Sequence, residues 1–358
     1  MDQLSAHLER GWDLVQRGDV TGARASAQRA LALDPNAPEI HNLVGYVAAL
    51  DGDNDEALEA YLQAIELDDH YVEAMLNAAE LLVHPLDDPA AALRMCDQVL
   101  DLTEYDDEVV DALLIKFEAH HALEAPDEAR HVLALLPAGP YENPGHNFLV
   151  GRAHYEAGDK EKARALIEAA LAGDDTHAET HYYAGLLAED AGDRRGAAVA
   201  FLRTRQLELE LGMPAWAPNP EAFLLFTRGA VEGLPAHQQA YLETAELYVA
   251  DVPGPEMVVD GVDPRTMVLV DASFVAPPEG DVGPKTAGAS TEGAPEDAPA
   301  PEHVELRVFL YAVNILRIAV GLHDVQRTIA VALERELAHI LEDLAAERRE
   351  GHADLLLS

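Results

Sequence analysis

The chain has 358 residues, of which 66 are acidic and 24 basic, so its formal net charge is −42. A surface this negative repels phosphate groups, which excludes nucleic acid and anionic membrane surfaces as favoured partners. A protein or peptide of basic or mixed charge is the partner that the charge favours. The apolar content of 49% is enough for packed cores, so the composition predicts a folded protein.

The sequence predicts a soluble cytoplasmic protein. Residues Met1 to Ser5 lack the basic and apolar regions of a signal peptide, and no apolar run approaches ~18 residues. The single cysteine, Cys96, lies on an apolar helix stripe and is predicted to be a buried packing residue. The acidity with only four lysines fits both a salt-adapted organism and a GC-rich genome.

Residues 1–212 contain markers that return at a fixed interval. A Gly-Asp pair recurs after 34 residues in two places, and a second glycine lies seven residues before each pair. An alanine follows the glycine of each pair by five residues. A period of this size is typical of stacked helical hairpins. The markers are the pairs that begin at Gly18, Gly52, Gly158 and Gly192, the second glycines Gly11, Gly45, Gly151 and Gly185, and the alanines Ala23, Ala57, Ala163 and Ala197.

Each repeat unit is predicted to be a helix, a short turn and a second helix. In the unit that spans 38–71, we expect Gly52 to end the first helix with a left-handed backbone and Asp53 to cap the second. Small residues at Gly45 and Ala57 let the two helices approach closely. We predict an all-α solenoid of about six such hairpins in residues 1–212, with units that start near residues 4, 38, 72, 110, 144 and 178.

These units resemble the tetratricopeptide repeat family. The resemblance is strongest in the second and sixth units and covers residues 1–212. It implies a protein–protein interaction domain, because in this family the first helices line a concave groove that binds peptides or protein surfaces. The residues that carry it are Val44, Gly45, Ala57, Tyr61 and Ala64 in the second unit and Gly185, Ala197 and Phe201 in the sixth.

The resemblance also implies a set of groove positions. Aromatic residues among them are candidate anchors for a partner, and the acidic ones favour a basic or mixed-charge ligand. The alternative is that these side chains are solvated or packing residues with no ligand. The implied partner-binding residues are Trp12, Asn42, Tyr46, Glu80, Glu118, His121, Arg152, Tyr155, Tyr182, Glu189 and Asp190.

A second domain is predicted after a Pro-rich linker at 213–220. Short β-branched segments and one stretch of period-two alternation predict three strands between helices, so residues 221–349 read as a small α+β domain. Residues 276–302, rich in Pro, Gly and acids, are predicted to form a disordered loop. Residues 350–358 are predicted to be a frayed tail.

Residues 219–349 resemble a bacterial minimal zincin-like family, described as matrix-metalloproteinase-like metallopeptidases. Such a family places a His-Glu-x-x-His motif on the last helix, where the histidines hold Zn²⁺ and the glutamate activates bound water. The resemblance depends on the order of four segments, which are Val231–Pro235, Tyr248–Pro253, Phe309–Arg317 and Arg335–His339.

The motif is degenerate in this chain. Glu336 and His339 stand at the base and second-ligand positions, but Arg335 replaces the first histidine. A guanidinium has no lone pair for a metal, and catalytic zinc usually needs three protein ligands. The resemblance therefore implies a metal-free zincin-like domain, in which we expect Arg335 to occupy the region of the zinc and to be neutralised by Glu336, Glu334 or another acid nearby.

Two other interpretations of this helix stay open. Arg335 and His339 fall opposite an apolar stripe that includes Ile329 and Leu337, which fits an ordinary amphipathic helix in an unrelated α+β domain. The other interpretation is a retained zinc site at His339, with a further ligand such as Glu347.

The sequence as a whole favours a non-enzymatic adaptor that needs no cofactor. The alternative is a zinc-dependent metallopeptidase, with Glu336 as catalytic base and His339 as ligand, whose substrates the repeats recruit. A third idea is that the acidic surface mainly serves solubility in high salt. Neither a Gly-rich phosphate loop nor a Gly-x-Ser-x-Gly elbow occurs in the sequence.

Overall fold

A computed structural model describes residues 3–274 and 304–357 of the chain. The chain divides into two compact units, Met1–Asp175 and Thr176–Ser358, each of which packs mainly against itself. The predicted disordered loop at 276–302 lies outside the described residues.

The first unit consists of helical hairpins joined by short turns. Within each hairpin the second helix packs against the first, and their starts agree with the predicted unit starts to within four residues. The predicted helical repeat architecture is therefore confirmed for this unit. The helices are α1 (Gln3–Gln16), α2 (Val20–Leu33), α3 (Pro38–Asp51), α4 (Asn54–Leu67), α5 (Val72–Val83), α6 (Pro89–Leu102), α7 (Asp106–Ala122), α8 (Pro126–Leu133), α9 (Pro144–Glu156) and α10 (Lys160–Gly173).

The Gly-Asp pair closes one helix and opens the next. Gly52 ends α3 with a left-handed backbone at φ 82°, and the side chain of Asp53 accepts a hydrogen bond from the amide of Glu56 in the first turn of α4. Gly192, at φ 73°, and Asp193 repeat this arrangement in the sixth hairpin. The left-handed backbone strains residues that carry a Cβ, which explains why glycine recurs.

The two middle units make the same turn without glycine. Asp87 at φ 52° and Glu124 at φ 53° hold a left-handed backbone despite their side chains. Asp88 still caps α6 by accepting from the amide of Ala91, whereas Ala125 gives α8 no side-chain cap. The Gly-Asp pair is thus absent from these units, although each keeps a left-handed residue before its second helix and the alanine five residues after it, Ala92 and Ala129.

The second glycine of the marker lies where two helices touch. A Cβ built on Gly45 would come within 2.6 Å of the Tyr61 ring, and one built on Gly185 within 2.3 Å of the Phe201 ring. A larger residue at either place would push the paired helices apart. The prediction that small residues permit close packing is confirmed.

The second unit begins with a sixth helical hairpin and continues into a small α+β region. Its strands and helices follow the predicted order. The described elements are α11 (Ala178–Asp190), α12 (Arg194–Leu211), α13 (Pro220–Glu232), α14 (Ala236–Leu242), β1 (Glu246–Ala250), α15 (Pro255–Val259), β2 (Val268–Phe274), β3 (Val304–Tyr311), α16 (Ala312–Ile318) and α17 (Val325–Leu357).

Three strands form one sheet in the order β1-β3-β2. β1 runs parallel to β3, with Tyr248 opposite Phe309, and β2 runs antiparallel to it, with Val270 opposite Val308. The first residues of β3 alternate between buried and exposed, as the sequence pattern predicts. Its buried residues join those of α13 and α17 in one apolar core.

Helix α17 contributes one side to this core. Ile329, Leu333 and Leu337 are fully buried, so the predicted apolar stripe is confirmed. The helix continues through 350–357, where the sequence predicts a frayed tail. In the described part of the chain, no helix has both the length and the apolar character that a bilayer crossing requires.

The sixth hairpin packs with the α+β region. Val258 of α15 shares an apolar cluster with Ala197 and Phe201 of α12. The predicted boundary at 213–220 follows the end of the repeat pattern, whereas the packing groups this hairpin with the C-terminal elements. Repeat pattern and packing therefore divide the chain at different places.

Candidate functional site

A cavity of about 610 Å³ lies between first helices of the repeats in the first unit. We call it the acidic groove. Its lining comes from α5, α7 and α9 and includes three predicted partner-binding residues, Glu80, Glu118 and Arg152. Four carboxylates and four aliphatic side chains dominate the lining: Glu73, Glu80, Asp111 and Glu118, with Leu76, Leu114, Ile115 and Leu149.

Glu118 is neutralised by two partners. Arg152 donates to one of its carboxylate oxygens at 2.7 Å, and Nε2 of His84 lies 2.8 Å from the other. The three side chains come from three successive repeat units, so the contacts connect these units across the groove. A charge-assisted pair of this kind leaves Glu118 with little capacity for a further cation.

Asp111 is also engaged. Its carboxylate lies 3.0 Å from Nε2 of the buried His146, on the neighbouring first helix α9. Burial raises the pKa of Asp111, and the contact with His146 opposes that shift. This carboxylate therefore has a counter-group within the chain.

Glu80 differs from both. Among the described residues, no hydrogen-bond donor or cation pairs with its carboxylate, whereas Glu118 has two such partners. Although the side chain is open to solvent, the groove walls displace enough water to raise the pKa of Glu80, and the charge of Glu118 raises it further. The charge of His84 opposes this shift, so Glu80 is a carboxylate with an attractive charge nearby but with no ion pair or hydrogen bond among the described residues.

Two predicted aromatic anchors lie together on the first helices of units one and two. The rings of Trp12 and Tyr46 meet edge to face, with 5.3 Å between their centroids. Both side chains are half-buried, and each directly follows the marker glycine of its unit, as Glu80 follows Ala79. A rigid aromatic pair at this position offers contact area at low entropic cost.

Three other predicted groove residues have partners within the chain. Asn42 is 0% exposed and accepts a hydrogen bond from Asn77 at 3.0 Å, so it positions Asn77 and cannot reach a ligand itself. This corrects the prediction for Asn42. His121 packs edge-on against a phenylalanine ring of α7, and Tyr155 faces the ammonium of Lys160 at 6.0 Å.

Tyr182, on α11, is covered by a loop of its own unit. Its hydroxyl donates to Asp263 at 2.7 Å, and the guanidinium carbon of Arg265 lies 4.1 Å from its ring centroid. Tyr182 is partly buried by these contacts, and its role in partner binding stays a prediction. Glu189 and Asp190, at the end of the same helix, are exposed.

Arg265 also binds two carboxylates of the sixth hairpin. Its terminal nitrogens donate to Glu179 at 3.2 and 3.4 Å, and its Nε donates to Glu208 at 2.9 Å. Glu208 is only 1% exposed and binds a second cation, Arg317, at 2.5 Å. Sequence reasoning missed this cluster, since nothing in the local pattern pairs residues so distant in sequence.

A neighbouring contact fixes the loop that carries Arg265. The side-chain amide nitrogen of Asn314, on α16, donates hydrogen bonds to the backbone carbonyls of Pro264 and Thr266, at 2.8 and 2.7 Å. Asn314 and Arg317 both belong to a segment that the sequence singles out for the zincin-like resemblance. Asn314 positions the Arg265 loop, and Arg317 pairs with Glu208 beside it.

The predicted zinc-site residues lie on the outer side of α17. His339 is exposed, with Nε2 3.7 Å from Asp343. Arg335 is exposed as well, and no carboxylate of the described residues lies within 4.0 Å of its guanidinium. The expected neutralisation of Arg335 by Glu334 or Glu336 is therefore not observed. Glu336 is half-buried.

These side chains do not fit a zinc ion. Arg335 offers no lone pair, and one imidazole with one carboxylate falls short of the three protein ligands of catalytic zinc. Among the described residues, the group of three possible ligand atoms within 4.8 Å of one another is Asp68, Asp69 and His70, which is exposed and lies in the first unit.

Comparison with known families identifies the N-terminal hairpins. The family model of the tetratricopeptide repeat matches residues 8–83. The match begins in α1 and ends with α5, and the same hairpin architecture continues through α10. Tetratricopeptide repeat domains generally mediate protein–protein interactions, which agrees with the expected kind of partner.

Solved structures of other repeat proteins align with part of the chain. PilF of Pseudomonas aeruginosa is 18% identical with a TM-score of 0.48, over 57% of this chain and 91% of PilF. PilW, a type IV pilus biogenesis factor, is 19% identical with a TM-score of 0.48, over 59% and 95%. YrrB, a tetratricopeptide repeat protein with an unusual peptide-binding site, is 19% identical with a TM-score of 0.36, over 51% and 91%. All three identities lie below 20% and all three TM-scores below 0.5.

Proposed function

We propose that this protein is a non-enzymatic adaptor that holds a segment of a partner protein in the acidic groove. The observation that carries the proposal is Glu80, a carboxylate with no ion pair or hydrogen bond among the described residues, inside a cavity that three repeat units line. A basic or mixed-charge segment supplies a cation that can pair with it directly. The net charge of −42 favours the same class of partner.

The lining of the groove suits a peptide segment. Leu76, Leu114, Ile115 and Leu149 provide apolar contact area beside the carboxylates. A volume of about 610 Å³ lies within the range of ligand sites and is large enough for several peptide side chains. Apolar contacts give affinity in such a site, and the charged groups select and orient the ligand.

For the C-terminal region we propose a role as a metal-free dock or regulator. The donor set at Arg335 and His339 supports this, since it is too small for catalytic zinc. The alternative, a zinc peptidase, predicts stoichiometric zinc in the purified chain, lost in His339→Ala, and peptide cleavage that is lost in Glu336→Gln. Metal analysis and a cleavage assay with an unstructured substrate separate the two.

The adaptor role is tested by selecting peptides on the full chain. A random peptide library displayed on phage is panned against the purified protein, and enriched peptides are measured by fluorescence anisotropy. In Leu149→Arg, a bulky cation enters the groove lining, and we expect affinity to fall by about tenfold or more. Leu62→Arg is the matched control, since Leu62 is 45% exposed on α4 and does not line the groove.

Three outcomes decide the proposal. Loss of binding in Leu149→Arg with normal binding in Leu62→Arg supports it. Equal binding by both variants places the peptide outside the groove and rejects it. Failure of the library to yield any specific peptide also rejects it.

A further inference from the structure

The repeat register relates Arg265 to the acidic groove. Counted from the marker glycine Gly185, Glu179 lies six residues earlier and Tyr182 three residues earlier. Arg265 contacts both, through an ion pair with Glu179 and through the ring of Tyr182. In the sixth hairpin, an arginine of the same chain therefore occupies these two positions of the first helix.

The same two positions line the groove in units three and four. The marker position is Ala79 in unit three, which places Glu73 and Leu76 at six and three residues earlier. In unit four the marker position is occupied by Phe117, and the corresponding residues are Asp111 and Leu114. All four line the acidic groove. In both units, an acid is followed three residues later by a leucine.

The acids of the groove differ in how they are neutralised. Arg152 and His84 bind Glu118, and His146 binds Asp111. No described residue forms an ion pair or a hydrogen bond with Glu80, and the charge of His84 acts on it from a greater distance. In the sixth hairpin, Glu179 is the equivalent of Glu73 and Asp111, and its cation is Arg265.

We propose that the acidic groove binds one arginine side chain of the partner segment, with the guanidinium on Glu80 and the aliphatic stem against Leu76 and Leu114. This inference rests on the proposed function, because it assumes that the groove is the peptide site. Arg265 provides an intramolecular example of an arginine held by an acid of a first helix, although its acid, Glu179, stands at the repeat position of Glu73 and Asp111 and Glu80 stands one residue after the marker position.

An arginine suits these contacts better than a lysine. Its planar fork can donate to two carboxylate oxygens together, as Arg265 does to Glu179. Its stem covers apolar surface while the charged head meets an acid. Within the groove, Leu76 and Leu114 offer that surface and Glu80 offers the acid.

A double-mutant cycle on a library-selected peptide tests the inference. In the peptide, each arginine is replaced in turn by citrulline, which keeps the shape and removes the charge, and by lysine. In the protein, Glu80→Gln removes the unpaired carboxylate, and Glu59→Gln removes an exposed carboxylate of α4 outside the groove. We expect citrulline at one position and Glu80→Gln each to weaken binding about tenfold, and their combination to weaken it little further.

The outcomes separate this inference from the function on which it rests. If no peptide binds in the groove, the adaptor proposal fails and this inference fails with it. If Leu149→Arg abolishes binding but citrulline is tolerated at every position, the groove binds peptides and the arginine site alone is rejected. Additive losses, or equal losses in Glu80→Gln and Glu59→Gln, reject it as well, since both indicate long-range charge attraction only.

Discussion

Arg265 lies over the ring of Tyr182, with 4.1 Å between the guanidinium carbon and the ring centroid. The same guanidinium pairs with Glu179 and Glu208 on the two helices of the sixth hairpin. Part of the inner side of that hairpin is consequently covered by its own chain.

The substitution Arg265→Ala is expected to lower the free energy of unfolding of the second unit by about 3 kcal/mol. The buried Glu208 loses one of its two cations, and the ring of Tyr182 loses its contact with the guanidinium. Urea unfolding of the full chain measures this loss. Trp216 packs against the core of this unit and, in a Trp12→Phe background, is the single tryptophan that reports on it.

The matched control for this variant is Arg307→Ala. Arg307 pairs with Asp271 on the sheet, and both side chains are about half exposed. We expect a cost below about 1 kcal/mol, because solvent screens an exposed pair. Equal costs for the two variants would show that the Arg265 cluster adds nothing special to stability.

The fourth repeat unit offers a stabilising change. Glu124 has a left-handed backbone at φ 53°, and the following Ala125 gives α8 no side-chain cap. The replacement of this pair by Gly-Asp, as in the regular units, removes backbone strain and adds a cap. We expect the free energy of unfolding to rise by about 1–2 kcal/mol, measured by circular dichroism in urea. The reverse change, Gly192→Glu with Asp193→Ala, should lower the free energy of unfolding. If stability changes in neither variant, the assigned role of the pair is contradicted.

Glu80 is predicted to contribute to partner binding and not to the stability of the fold. Its pKa is raised in the folded chain, so its ionised form disfavours folding above that pKa, and the effect disappears below the ordinary pKa of a glutamate. Glu80→Gln should therefore leave stability at neutral pH equal or higher by up to about 0.5 kcal/mol, a small effect because the side chain is open to solvent. Acidification should bring the variant and the parent chain to the same stability. A clear loss of stability at neutral pH, absent in Glu59→Gln, would indicate a structural role instead.

Cys96 is expected to resist thiol reagents in the folded chain. The side chain is fully buried, and burial raises the pKa of its thiol to about 12, so almost no thiolate forms near neutral pH. Titration with a chromogenic disulfide should show slow reaction under native conditions and one rapid equivalent in denaturant. Rapid reaction of the native chain would contradict the packing described here.

Much of the repeat region was predictable because its signals are local. Gly52 and Asp53 each act within a few residues of their own position, so their geometry follows from neighbours in sequence. Asp87 and Glu124 escaped prediction because they adopt the same backbone without the residue type that marks it. The spacing of the units predicted that a turn lies in each of these regions, but not which residue adopts the left-handed backbone.

The contacts between distant segments were not predictable in this way. Arg265 binds Glu208 across 57 residues, and nothing local distinguishes Glu208 from the many other acids of the chain. Asn42 was expected in the groove from its place on the first helix. Its side chain is buried and accepts a hydrogen bond from Asn77, which lines the groove. Burial and partner choice depend on tertiary packing, which the repeat period does not encode.

Hydrogen exchange of the full chain, with and without a library-selected peptide, tests the central claim most directly. We expect the peptide to slow exchange in α5, α7 and α9, the helices that line the acidic groove, and to have little effect on the outer side of α17 around Arg335 and His339. Slowed exchange confined to α17 or to other parts of the second unit, with the groove helices unchanged, would contradict the account.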